Sequence, residues 1–262
     1  MTSTTFPPPG YPPPPSPVAL WLFERYLRRQ AHRHFSAVHW TSLDTPDRWN
    51  RTVPTIFVAN HTNWWDGFLA FLLTRSLGLG FQVLMEARHL ARYRVFLKVG
   101  ALPLRRDRGR EAYADLEAAA AYLRPGVGLW VFPQGKRRPP SEPVAGSERG
   151  AAHLIIGHPG QVRICPVAFR YGFVGEQLPE AFVMVGEEWL PSPPAGADRS
   201  ALMTSIDGKL SDTVAALDRL VAAEQLDAFR PLTPGRLSVN KRLDRFRHAM
   251  GLLRGPFEAR NG

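Results

Sequence analysis

The chain has one cysteine, Cys165, among its 262 residues. An internal disulfide is therefore excluded, and so is a zinc or iron–sulfur centre built from several thiolates. Such cysteine usage suits a reducing compartment. Long apolar runs are missing too: a membrane-spanning helix needs about 20 apolar residues, and the best stretch, 68–79, is interrupted by Arg75. Residues 1–17 lack the positive n-region and apolar run of a signal peptide, so a soluble or membrane-surface protein is expected. His32, His34 and His39 have no regular ligand spacing, and no metal site is expected. A serine-hydrolase elbow is absent, because 145–149 reads Ala-Gly-Ser-Glu-Arg. A phosphate-binding Walker loop fails because Trp130 stands where its first glycine belongs, before Gly135 and Lys136.

Acidic residues are in deficit. The 33 Lys and Arg against 23 Asp and Glu give a formal net charge of +10, which attracts nucleic acid, anionic lipid, an acidic carrier protein or a phosphorylated substrate. Zinc-finger cysteines and an RNA-recognition aromatic motif are both lacking, so nucleic acid is not the expected partner. A basic anionic-lipid or nucleic-acid binding protein without catalysis remains the non-enzymatic alternative.

Proline is abundant, with 25 residues, about twice the usual ~5%. Eight of them fall within 7–17, which makes 1–17 a proline-rich disordered tail. In 18–35, Ala19, Leu20, Leu22, Phe23, Tyr26 and Leu27 alternate with Arg25, Arg28, Arg29 and Arg33, the pattern of a basic amphipathic helix. That helical segment is assigned to 18–40. Strand-like runs follow at 55–59, 81–85, 128–132, 162–169 and 182–185. Helical patterns fall at 67–77, 88–98, 109–123, 200–229 and 237–253. Strands alternating with helices imply an α/β fold, a mixed, largely parallel sheet flanked by helices. The core is placed at 41–197 and a helical C-terminal extension at 198–262.

Chemistry concentrates in Asn60-His61-Thr62-Asn63-Trp64-Trp65-Asp66. An imidazole takes a proton from a hydroxyl near neutral pH, and a carboxylate on its other nitrogen fixes the tautomer. Residues five apart do not share a face of one helix, so His61 is expected on a turn and Asp66 at the following helix start. His39 and Asp44 repeat the spacing within a polar stretch not preceded by an apolar strand, whereas His61 follows one. Functional loops project at such strand ends. Trp64 and Trp65 read equally as core or interfacial aromatics. Residues 100–107 end in Arg105-Arg106-Asp107, and 132–138 read Phe-Pro-Gln-Gly-Lys-Arg-Arg. Guanidinium forks bind phosphate oxygens and glycine admits close backbone approach. Pro166, within Ile164-Cys165-Pro166-Val167-Ala168, suggests a strand end or edge.

Taken in order, these four stretches resemble the blocks of the glycerolipid and lysophospholipid acyltransferase family, the 1-acylglycerol-3-phosphate acyltransferases and their relatives. The resemblance runs from Thr55 to Val167. It implies His61 as general base, Asp66 as its orienting carboxylate, and Arg106 as a ligand of the acceptor phosphate. In the third block Phe132, Pro133, Gly135 and Arg137 match, while Gln134 replaces Glu and Lys136 replaces Thr. Asn60, Arg106, Gln134, Gly135, Lys136 and Arg137 form the implied substrate-binding set. The implied reaction is direct acyl transfer from a thioester to a hydroxyl of a lysophospholipid or related lipid. Acyl-CoA or an acyl carrier protein serves as donor, and no further cofactor is implied. The expected place is the cytoplasmic face of a membrane, peripheral or monotopic, with anionic lipid as partner. A thioesterase using the same pair on water is the enzymatic alternative.

Overall fold

The structure, a computed structural model, describes residues 12–43, 52–174, 176–191, 198–236 and 247. Its first helix, α1 (Pro17–His34), starts where Ser16 accepts the amide of Ala19 at 3.0 Å and Pro17 presets the backbone. It stops when Phe35 turns extended. The chain then runs β1 (Ala37–Ser42), β2 (Thr55–Ala59), α2 (Asp66–Ser76), β3 (Gly80–Glu86), α3 (Ala87–Arg92), a 3-10 turn (Arg94–Val99) and β4 (Ala101–Leu104). It continues through α4 (Gly109–Ala120), β5 (Val127–Val131), α5 (Gly150–Gly157), β6 (Arg163–Gly172), β7 (Glu180–Val185), α6 (Arg199–Ala222), a 3-10 turn (Leu226–Ala228) and β8 (Arg230–Pro234). The sequence expectation of an α/β fold holds.

The eight strands of the described residues form one sheet in the order β4-β3-β5-β2-β6-β7-β1-β8. Only the β6/β7 and β1/β8 pairs are antiparallel. Every residue of β2 and β5 is buried, as sequences Thr-Ile-Phe-Val-Ala and Val-Gly-Leu-Trp-Val require when helices cover both faces. On one face α1 and α2 pack against Phe57, Trp130 and Phe169. On the other α4, α5 and α6 pack against Ile56, Val58, Leu129 and Val131. Phe57 stacks on Trp130 with ring centroids 4.5 Å apart, and the indole donates to Thr74 at 2.7 Å. Gly128 makes room for this stack, because a Cβ there would meet the Phe57 ring at 2.5 Å.

The topology positions the site. Neighbouring strands β2 and β5 lead into α2 and α5, which lie on opposite faces. Their C-terminal ends therefore flank a topological switch point, where an open α/β sheet opens a crevice. His61 follows β2, and 132–138 follow β5.

Several sequence expectations are corrected. The helical segment placed at 18–40 ends at His34, and 37–42 form β1. His39, of the repeated His-Asp spacing, therefore lies on strand β1, bonded to Glu180 at 2.9 Å, while Asp44 lies outside the described residues. The basic helix expected at 88–98 divides into α3 and a 3-10 turn, closed by Gly100 at φ +105°. The helix expected over 200–229 stops at Ala222 and gives way to β8. Pro166 is interior, paired with Val58 of β2. Its carbonyl accepts from Gly186, just past the end of β7, and the next bridge, Ile164 to Trp189, is displaced by one residue. The missing N–H thus faces an interrupted ladder at a bulge, where proline is tolerated. The helix expected at 237–253 and most of the proline-rich tail lie outside the described residues. Within the described part of that tail, the Tyr122 hydroxyl donates to the Pro12 carbonyl.

Candidate active site

Asp66 opens α2 and is fully buried. At a helix N-terminus the backbone dipole favours its negative charge. Four donors converge on the carboxylate. Oδ2 accepts from His61 Nδ1 at 2.9 Å and from the amides of Thr62 and Asn63 at 2.7 and 2.9 Å; Oδ1 accepts from the Tyr171 hydroxyl at 2.6 Å. Burial and the Asp66 carboxylate together hold the Tyr171 phenol well above its ordinary range, so it stays protonated as a donor. With Nδ1 engaged, His61 keeps Nε2 for the cavity that its ring lines. A hydroxyl within reach of Nε2 would find a proton acceptor of fixed tautomer.

The two loops at the switch point are sewn together. Gly135 donates its amide to the Phe132 carbonyl at 3.0 Å, closing a tight turn with Pro133 at its second position. Gln134, buried in that turn, accepts the His61 amide at 2.8 Å, and Arg138 donates its amide to the His61 carbonyl at 2.8 Å. Both backbone polar groups of His61 are therefore held from the β5 side. The Phe132 ring lies 4.7 Å from the imidazole.

Beside them opens a cavity of about 1010 Å³ whose walls include Phe68, Phe81, Val83, Phe96, Leu116 and Val131. Its charged groups are Glu86, Arg88, Arg106, Lys136, Arg137 and Glu148, with His61 and His89. Two pairs form among them, Arg88 to Glu86 at 2.6 Å and Arg106 to Glu148 at 3.2 Å. Arg106 also donates to the Gly135 carbonyl. Lys136 and Arg137 are exposed.

The structure thus brings His61, Arg106, Gly135, Lys136 and Arg137 to one cavity, with Asp66 directly behind His61. Asn60 and Gln134 are not on its wall. Asn60 is buried and exchanges two hydrogen bonds with the backbone of Phe169, at 3.1 and 2.8 Å. Gln134 acts on the His61 backbone. Of the adjacent tryptophans, Trp64 is 58% exposed at the cavity mouth, whereas Trp65 packs against Phe35 with centroids 4.9 Å apart. Sequence reasoning missed Tyr171 and Glu148. Extending the β6 pattern two residues past Phe169 would have put Tyr171 on the same side of the strand.

Residues 42–170 match the family model described as Acyltransferase. The match supports an acyltransferase domain. Comparison with curated proteins gave no match. The matched segment covers β2 through most of β6, so the His61 and 132–138 loops and Arg106 all fall inside it, while Tyr171 stands one residue beyond. Among the described residues no group of three or more His, Cys, Asp or Glu could hold a metal ion.

Proposed function

We propose that this acyltransferase domain moves a fatty acyl group from a thioester, on coenzyme A or an acyl carrier protein, to a hydroxyl of a lysophospholipid or related lipid. His61 Nε2 takes the proton of the acceptor hydroxyl. That oxygen bonds to the thioester carbonyl carbon, the C–S bond breaks, and the proton leaves with the thiolate. Asp66 holds the imidazole in position and stabilises its protonated form. Lys136, Arg137 and Arg106 meet the acceptor's negative charge, and the apolar walls take the acyl chain.

One observation carries this reading: a fully buried, four-fold hydrogen-bonded carboxylate aims a histidine into a large, mainly apolar cavity with a cationic rim. The same walls would hold the acyl chain of a thioesterase, so ester formation when a lipid alcohol is added is what separates transfer from hydrolysis. Replacing the base in a general-base mechanism costs ~10²–10⁴-fold. His61→Ala is expected to lose that much transfer while its thermal unfolding stays close to wild type. Product mass spectrometry with a mixed acceptor pool, run with and without the lipid alcohols, checks both the transfer and the acceptor. Near-normal ester formation by the folded variant would refute the assignment.

Peripheral attachment to an anionic bilayer belongs to the same proposal. No helix among the described residues is long and apolar enough to cross a membrane. Yet α1 turns Val18, Trp21, Leu22 and Tyr26 outward, each more than half exposed, while Leu27 and Ala31 face the core. Arg25 stacks over Trp21 at 5.1 Å, and Arg29 is exposed on the same side. An apolar stripe edged with arginine suits a headgroup boundary. A chain of rings from Phe23 through Phe68 to Trp64 links this stripe to the cavity mouth.

A further inference from the structure

Three helices of the sheet's second face begin around one smaller pocket. It has a volume of about 230 Å³, and the first residues of α4, α5 and α6, namely Gly109, Gly150 and Arg199, all line it. Helices α4 and α5 start from Arg108 and Arg149 without a side-chain cap among the described residues, which leaves the first amide donors of each helix unanswered by a capping side chain. Each helix start also carries partial positive charge.

The side chains point the same way. Arg106, Arg149 and Arg199 face this pocket against one acid, Glu148, which pairs with Arg106. Arg149 and Arg199 are exposed and form no ion pair among the described residues. Nδ1 of His153 is buried there without a hydrogen-bond partner among the described residues. The Tyr113 ring stands 5.1 Å from the His153 ring, giving the pocket an aromatic wall. Uncapped amides and two uncommitted guanidinium groups together make a receptor for an anion with several acceptor oxygens, and His153 Nδ1 joins them in the tautomer that carries its proton there.

Arg106 and Glu148 line both this pocket and the large cavity, so the two spaces meet across that ion pair. A long ligand whose reacting end lies at His61 can therefore place its far end beyond Arg106. Resting on the thioester reading above, we propose that the pocket binds a phosphate ester on the carrier arm of the acyl donor. Coenzyme A and carrier proteins both present the thioester on a pantetheine arm that ends in a phosphate ester. The acceptor, whose hydroxyl must sit at His61, has Arg106, Lys136 and Arg137 beside it in the large cavity, which leaves Arg149 and Arg199 of the second pocket to the donor.

The decisive variant is the double change Arg149→Ala with Arg199→Ala, both exposed and remote from the core. Each lost charge-assisted contact is expected to cost about 10-fold. The variant should show a donor KM raised by at least that factor with acyl-CoA or acyl carrier protein, and an acceptor KM within twofold of wild type. The penalty should vanish when acyl-pantetheine, which lacks the phosphate, is the donor. Calorimetric titration reads the pocket without turnover, using adenosine 3′,5′-bisphosphate, phosphopantetheine and inorganic phosphate as probes. Tighter binding of the bisphosphate assigns the nucleotide end of coenzyme A; tighter binding of phosphopantetheine assigns the arm phosphate that both donors share, and the donor whose KM the variant raises then separates the two. Equal affinity of variant and wild type for both esters would overturn the proposal, as would a preference for inorganic phosphate or a rise confined to the acceptor KM. Absence of transfer from every thioester would sink the functional reading alone, because the titrations still decide the pocket.

Discussion

Two loops meet at the crevice, and they are built in opposite ways. The loop after β2 is fixed from every side: Asp66 is fully buried with four donors, and both backbone polar groups of His61 are held by the neighbouring turn. The loop after β5 is held through its backbone, at Gly135 and Arg138, while its cationic side chains at 136 and 137 are not. Gln134 is buried, but the next residues outward, Lys136 and Arg137, stand in solvent, and Arg106 holds an acid, Glu148, that is itself 46% exposed. Proton transfer depends on sub-ångström placement, and the group proposed to perform it is over-determined. Charge recognition acts over longer distances and tolerates exposed, adjustable cations. The fold thus separates the proposed base from the cations proposed to select its substrate.

Breaking the rigid loop should give the largest effect. All four partners of Asp66 donate, so Asp66→Asn points an amide N–H₂ at donors that it cannot satisfy. Transfer is expected to fall ~10²–10⁴-fold, and stability by roughly 2–3 kcal/mol for a buried polar group left unpaired. Steady-state kcat and thermal unfolding check the two parts. In the β5 loop the smaller, different outcome is expected from Gly135→Ala. Gly135 has φ +69°, and a Cβ there would meet the Glu148 carboxylate and lie 2.6 Å from the Arg106 guanidinium. The left-handed backbone alone costs about 1 kcal/mol in a residue with a side chain. Because the change disturbs Arg106 and not His61, the acceptor KM should rise several-fold while kcat falls less. A kcat loss as deep as that of Asp66→Asn would erase the distinction between the loops.

How much of this was legible depends on how local each signal is. The unbroken apolar runs of β2 and β5 announce buried parallel strands, and the His61 to Asp66 spacing predicts a turn followed by a helix start; both hold. Strand β1 was hidden because only Phe35 and Ser36 separate it from α1, while its partners lie at 180–185 and 230–234. Strand β8, Arg-Pro-Leu-Thr-Pro, reads as a loop, yet its prolines are tolerable at the sheet edge that it occupies. Helix α5 is eight residues bounded by glycines, too short for a helical period to stand out. In the site itself, Asn60 and Gln134 lie at motif positions, but their side chains face backbone, an orientation that spacing does not reveal. Tyr171 reaches Asp66 across 105 residues of sequence, a contact that only the β2/β6 register creates.

Tyr171 offers the finest test, since it adds one bond to a carboxylate that has three others. Tyr171→Phe keeps the ring and removes the donor to Asp66 Oδ1. A net cost of about 1 kcal/mol in stability is expected, with transfer reduced less than 10-fold because Oδ2 still holds His61. The pH dependence identifies the bond. Burial and Asp66 raise the folded phenol's pKa, so the stabilisation is complete below the unfolded tyrosine value of ~10 and drains away as pH rises through the folded one. Thermal unfolding between neutral pH and about pH 11 should therefore show wild type losing stability more steeply at the alkaline end than Tyr171→Phe. Parallel curves would mean that the phenol is not coupled to the carboxylate, and the rigid loop would then rest on the backbone amides and His61 alone.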